Sequence, residues 1–156
     1  MNQKNHPGVY LPPPLLYVAF FFLSIFIQKN IPINAIWQNT IQANVIGWIL
    51  IILSGLFIVT ALQRFITSRN TIVTIRPAKS LQTNGIYAFT RNPMYLGLLL
   101  LYSGIATFRG NWWTFILIPL LVIVLQSYVI RKEELYLNRA FGEEFDNYRK
   151  KVRRWI

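Results

Sequence analysis

Apolar and polar positions fall along this chain in long blocks, not at the two-residue alternation of strands. Four blocks carry no charge: residues 11–27, 41–62, 93–108 and 112–130, of 17, 22, 16 and 19 residues. A helix of about 20 apolar residues crosses a ~30 Å hydrocarbon core. The second and fourth blocks reach that length. The first is at its lower limit, and the third rises only about 24 Å as a helix. The pattern predicts about four transmembrane helices. Pro12, Pro13 and Pro14 stand at the start of the first, where a helix tolerates proline. No small-x-small pattern follows that block, which runs into Gln28-Lys29-Asn30, so it reads as a helix and not as a cleaved leader. Gly47 and Ser54 are seven apart on one face of the second block, and small residues there let another helix approach closely. Trp112 and Trp113 suit an interfacial belt, and Pro119 is expected to kink the fourth block.

The polar intervals differ in character. Residues 28–40 form a loop with a single charge, Lys29, and Arg109-Gly110-Asn111 is a tight turn. Residues 63–92 are the longest polar stretch, with Arg64, Arg69, Arg76, Lys79 and Arg91. A loop of that length in a small protein is often functional. Its TIVTI run, residues 71–75, is strand-like in composition but has nothing to pair with. Residues 131–156 are highly charged and read as mainly helical, with Leu135, Phe141, Phe145, Tyr148 and Trp155 giving a partly apolar face. The fold class is therefore an all-α integral membrane protein, about four transmembrane helices plus a cytoplasmic C-terminal helix. It is one domain over 1–156: two helices in 1–62, a cytoplasmic loop over 63–92, and a helical hairpin with a charged tail over 93–156.

Composition agrees: 54% of the 156 residues are hydrophobic and only 13% charged, about half the usual charged share. The net charge of +11 would point to nucleic acid in a soluble protein. Sorting the charges by side removes that reading. Four crossings place the N-terminus, the 63–92 loop and the tail together with 14 of the Lys and Arg residues, leaving Lys29 and Arg109 opposite. The positive-inside rule then makes both termini cytoplasmic, and a bilayer is the expected partner rather than nucleic acid. With no cysteine and a lone histidine, His6, near the terminus, there is no thiolate nucleophile and no metal cluster.

Candidate chemistry gathers at residues 85–97, GIYAFTRNPMYLG. Asn92 suits an N-cap and Pro93 a first helical position, so a helix should start there with Arg91 beside its end. Free N–H groups and the helix dipole favour an anion, and Arg91 adds a planar fork of donors. The alternative is a plain helix start with Arg91 on lipid phosphates. If the third and fourth blocks form an antiparallel hairpin, Glu133 and Glu134 come near this helix start, a combination suited to a zwitterionic ligand. Here too a plainer reading stands: Arg131 and Glu134, three apart, can pair on a helix surface. Glu143, Glu144 and Asp146 read as a solvated face.

Gly85-Ile86-Tyr87, then Arg91-Asn92-Pro93-Met94-Tyr95-Leu96-Gly97, Glu133-Glu134, Phe141-Gly142-Glu143-Glu144-Phe145 with Tyr148, and Val152-Arg153-Arg154-Trp155 together resemble the isoprenylcysteine carboxyl methyltransferase and phospholipid methyltransferase superfamily. The likeness covers about the last 70 residues closely, and the proline-led first helix resembles small bacterial members. It implies an S-adenosylmethionine-dependent methyltransferase of a bacterial inner membrane, with its cofactor pocket at the cytosolic face. Carried over residue by residue, it implicates Tyr87, Arg91, Asn92, Tyr95, Leu96, Gly97, Glu133 and Glu134 in cofactor binding. Asn92 stands where better-known members have His, and Ile86 where many have Pro; an amide can hydrogen-bond but cannot titrate. Methyl transfer from a sulfonium needs mainly positioning and desolvation. A lipophilic small-molecule acceptor can enter from the bilayer, and Arg131 is the candidate catalytic side chain, holding an anionic acceptor or the cofactor carboxylate. Two other readings stay open: a non-catalytic four-helix membrane scaffold or lipid-binding subunit, and a membrane reductase using a nicotinamide cofactor, although no dinucleotide glycine fingerprint is present.

Overall fold

The computed structural model describes residues 7–33, 35–68 and 78–156, and all regular structure among them is helical. Helix α1 spans Pro13–Asn30, α2 spans Ile41–Thr67 and α3 spans Pro93–Arg109. A long fourth helix, α4, runs Trp112–Phe141, and α5 spans Glu143–Lys151. A single 3-10 turn, Gly85–Ala88, precedes α3. The charge-bearing Lys4, His6, Arg69 and Arg76 and the TIVTI run lie outside the described residues.

Local sequence explains the helix ends. Thr40 caps α2 by accepting from the Ala43 N–H at 3.2 Å. Gly110 closes α3 in the left-handed conformation, φ 59°. Asn111 then caps α4 from its side chain, accepting from the Trp113 N–H at 3.0 Å. Within α4 the regular helix breaks at Leu117, two residues before Pro119, as expected where proline removes an N–H. A wide π turn follows over Leu125–Ile130. It resets the face that α4 presents, and the helix continues unbroken through Arg131–Phe141.

Two of these helices, α2 and α4, are long and apolar enough to cross a membrane. Only 17% and 28% of their most apolar stretches is buried inside the molecule, so their apolar surface faces outward, unlike a soluble core helix. The α2–α3 interface is the closest packing. A Cβ on Gly47 would stand 2.7 Å from the Phe108 ring, one on Gly97 2.7 Å from Ile58 Cγ1, and one on Gly104 3.1 Å from the Gly47 carbonyl. Ala43, Gly47, Ser54 and Ala61 are the buried residues of α2, so the expected small-residue face is the face that packs. Helix α1 joins α4 through a buried polar pair, Ser24 Oγ and Thr114 Oγ1 at 2.9 Å. It joins α3 through the Tyr17 hydroxyl, which donates to the Tyr95 carbonyl at 2.8 Å. Tyr17, Tyr102, Leu121, Leu125 and Val129 form the core between them.

Candidate active site

Helices α3 and α4 are antiparallel neighbours joined by the Gly110 turn, so the start of α3 meets the polar end of α4. Between them lies a cavity of about 400 Å³, bounded by Tyr87, Arg91, Asn92, Tyr95, Glu133 and Glu134 on its polar side. Its apolar walls include Pro12–Pro14, Phe65, Met94, Leu98 and Leu137. That volume is within the roughly 300–1,000 Å³ of small-molecule sites. From α4 the lining residues are Glu133, Glu134, Tyr136 and Leu137, a spacing that occupies one helical face.

The two adjacent glutamates do different things. Glu133 accepts from the Tyr95 hydroxyl at 2.6 Å and makes no ion pair among the described residues. Glu134 is clamped by two arginines. Arg91 Nη2 reaches its Oε1 at 2.9 Å, and Arg154 donates through Nε at 3.0 Å and through Nη2 to Oε2. The Arg91 side chain is only 13% exposed, and its Nε is buried without a partner among the described residues. The hydrogen bonds it donates to Glu134 hold Arg154 firmly in its charged form.

The last turn of α5 and the segment after it strap the start of α3. The Arg91 N–H donates to the Arg153 carbonyl at 3.0 Å. The Asn92 amide donates to the Arg154 carbonyl at 2.8 Å, with Thr90 Oγ1 on the same oxygen at 3.2 Å. Arg91 Nη1 bonds the Arg149 carbonyl at 3.3 Å. Asn92 therefore does not cap α3 as its sequence position predicts: its side chain makes no capping bond, because the amide is turned toward the strap. Behind it, the Tyr148 hydroxyl donates to the Tyr87 carbonyl at 2.7 Å. Burial pushes the phenols of Tyr87 and Tyr148 up, so both are neutral donors at physiological pH.

Six of the sequence-predicted site residues thus share one cavity, and three do not. Leu96 is buried away from it, and Gly97 lies against Phe57 and Ile58 of α2 as a packing residue. Arg131 is exposed and is not among the cavity's lining. The surface pair between Arg131 and Glu134 is not formed, since Glu134 takes Arg91 and Arg154 instead. The structure thus places Arg131 on the exposed side of α4, outside the cavity. Sequence reasoning left out Arg154, Tyr136 and the proline wall. Only the closing Val152–Trp155 motif signalled Arg154.

The model of the phospholipid methyltransferase family matches residues 43–144. The protein-S-isoprenylcysteine O-methyltransferase of Schizosaccharomyces pombe is 39% identical over 72 residues, which is 46% of this chain and 30% of that protein. An uncharacterized protein of Haemophilus influenzae is 36% identical over 63 residues, 40% of this chain and 100% of its own length. The chain thus spans under a third of the yeast enzyme. No solved structure matches.

Proposed function

This chain belongs to the phospholipid methyltransferase family, and from that membership and its cavity we propose an integral membrane S-adenosylmethionine-dependent methyltransferase acting on a lipophilic acceptor. The observation that carries the reading is one cavity with a carboxylate, a partly buried guanidinium and two tyrosines on its polar side and prolines, Met94 and Leu98 on its apolar side. In this reading α1 and α3 also cross the bilayer, giving four spans in a bacterial inner membrane. Both termini and the polar end of the cavity then face the cytoplasm.

The residues fit the cofactor by chemistry. Glu133, whose only polar partner among the described residues is Tyr95, receives an ammonium or ribose hydroxyls. Arg91, with Nε to spare, receives a carboxylate; this is the anion-holding role foreseen for Arg131. Tyr87 and Tyr95 flank the adenosine, and Asn92 helps hold the strap that shapes the pocket. S-adenosylmethionine supplies an electrophilic methyl group, already activated by its sulfonium. The chain's own contribution is to orient the two reactants and to exclude water with its apolar walls.

Calorimetric titration of S-adenosylmethionine and S-adenosylhomocysteine into the detergent-purified protein tests this, beside Glu133→Gln. Saturable binding, weakened at least about tenfold in the variant, is expected, since a hydrogen bond to a charged group is worth about 1.5–3 kcal/mol. Absence of binding in detergent and again in lipid nanodiscs refutes the reading and leaves a membrane scaffold or lipid-binding subunit.

A further inference from the structure

The strap that holds the site also carries a basic surface. Helix α5 is polarised along its length, with Glu143, Glu144 and Asp146 in its first turn and Arg149, Lys150 and Lys151 in its last. Arg149 is paired with Asp146 at 2.9 Å, and Arg154 with Glu134. Lys150, Lys151 and Arg153 are exposed and make no ion pair among the described residues. Their height above the bilayer follows from the strap's own bonds. The Arg153 carbonyl accepts from the Arg91 N–H, and the apolar helix α3 begins two residues later at Pro93. With α3 crossing the bilayer as proposed above, these three cations are tethered near the point where it emerges, at headgroup depth.

We propose that Lys150, Lys151 and Arg153 dock the strap on anionic phospholipid headgroups of the surrounding bilayer, so that membrane surface charge tightens the hold on Arg91, Asn92 and Glu134. One short segment does both jobs. The side chains of Lys150, Lys151 and Arg153 are exposed, while the carbonyls of Arg149, Arg153 and Arg154 hold Arg91, Asn92 and Thr90. A strap released from the surface is free to lift those carbonyls away from the start of α3. The proposal rests on the bilayer placement above and not on methyl transfer.

The test is hydrogen exchange at the Arg91 amide, the donor to Arg153, in full-length protein without cofactor. The protein is placed in nanodiscs of phosphatidylcholine alone and of phosphatidylcholine with phosphatidylglycerol. Each Lys or Arg at an anionic surface contributes roughly fivefold, so three set an upper bound on the order of a hundredfold. Exchange slowed at least about tenfold by the anionic lipid supports the proposal. The slowing should vanish in 1 M salt, where the Debye length falls to about 3 Å, and in Lys150→Gln/Lys151→Gln/Arg153→Gln. The salt arm needs no substitution and stands even if that variant does not fold. Equal exchange in the two bilayers, or lipid dependence surviving in a folded triple variant, overturns it. Because the assay contains no cofactor, failure of the methyltransferase reading leaves its outcome unchanged.

Discussion

Removing the Glu134 carboxylate should destabilise the protein through the two arginines it holds. Glu134 accepts from Arg91 at 2.9 Å and from Arg154 through two nitrogens. Charge-assisted hydrogen bonds are worth about 1.5–3 kcal/mol each in favourable settings, and breaking a fully buried pair costs about 3–5 kcal/mol. The side chains here are 13%, 20% and 38% exposed, so water recovers part of that, chiefly at Arg154. Glu134→Ala is expected to cost about 2–4 kcal/mol, most of it from leaving Arg91 unpaired. Arg154→Ala, at the more exposed partner, should cost about 1–2 kcal/mol. The double variant should be less destabilised than the sum by about 1–2 kcal/mol, since the second deletion removes a partner already lost. Equilibrium denaturant titration in detergent micelles, followed by circular dichroism, reads all four corners of the cycle. Additivity within about 0.5 kcal/mol would refute the clamp. Glu133→Ala is the internal control: its one polar contact among the described residues, to Tyr95, predicts a smaller stability loss than Glu134→Ala and a larger loss of cofactor affinity.

Three further outcomes follow from the same geometry. Gly97→Ala places a Cβ 2.7 Å from Ile58 Cγ1 and 3.3 Å from the Ile58 backbone nitrogen; overpacking of about 1–3 kcal/mol outweighs the ~1 kcal/mol gain in helix propensity, so thermal stability should fall while cofactor affinity at low temperature holds. Asn92→Ala removes the bond to the Arg154 carbonyl and should cost about 0.5–1.5 kcal/mol, read as faster hydrogen exchange in residues 152–156. Arg131→Ala, on the exposed side of α4, should leave cofactor affinity within about twofold by calorimetry, whereas Arg91→Ala should lower it at least about tenfold.

Much of the helical framework was legible because lipid and water impose long blocks on a sequence. The starts of α2, α3 and α4 at Ile41, Pro93 and Trp112 coincide with the predicted block starts. What the blocks hide is how far a helix continues once charges begin. Helix α2 runs on to Thr67, through Gln63 and Arg64, which the block pattern assigned to the loop. Helix α4 runs through the Arg131–Glu134 cluster to Phe141, because Lys, Arg and Glu are good helix formers once the chain has left the bilayer. Leu135 was expected on the apolar face of the tail but is 56% exposed, while its neighbour Tyr136 takes the buried face.

Helical rotation separates Glu133 from Glu134, which look equivalent as neighbours in a sequence. Successive residues of a helix are about 100° apart, and these two adjacent carboxylates turn to different partners. One reaches Tyr95, and the other turns to Arg91 and the strap. Nor does local pattern reveal that Asn92 is drawn from its cap by a carbonyl 62 residues away in sequence. At this position the amide serves as a donor to Arg154, a task that needs no titrating group. Asn92 thus keeps the strap in place at the start of α3.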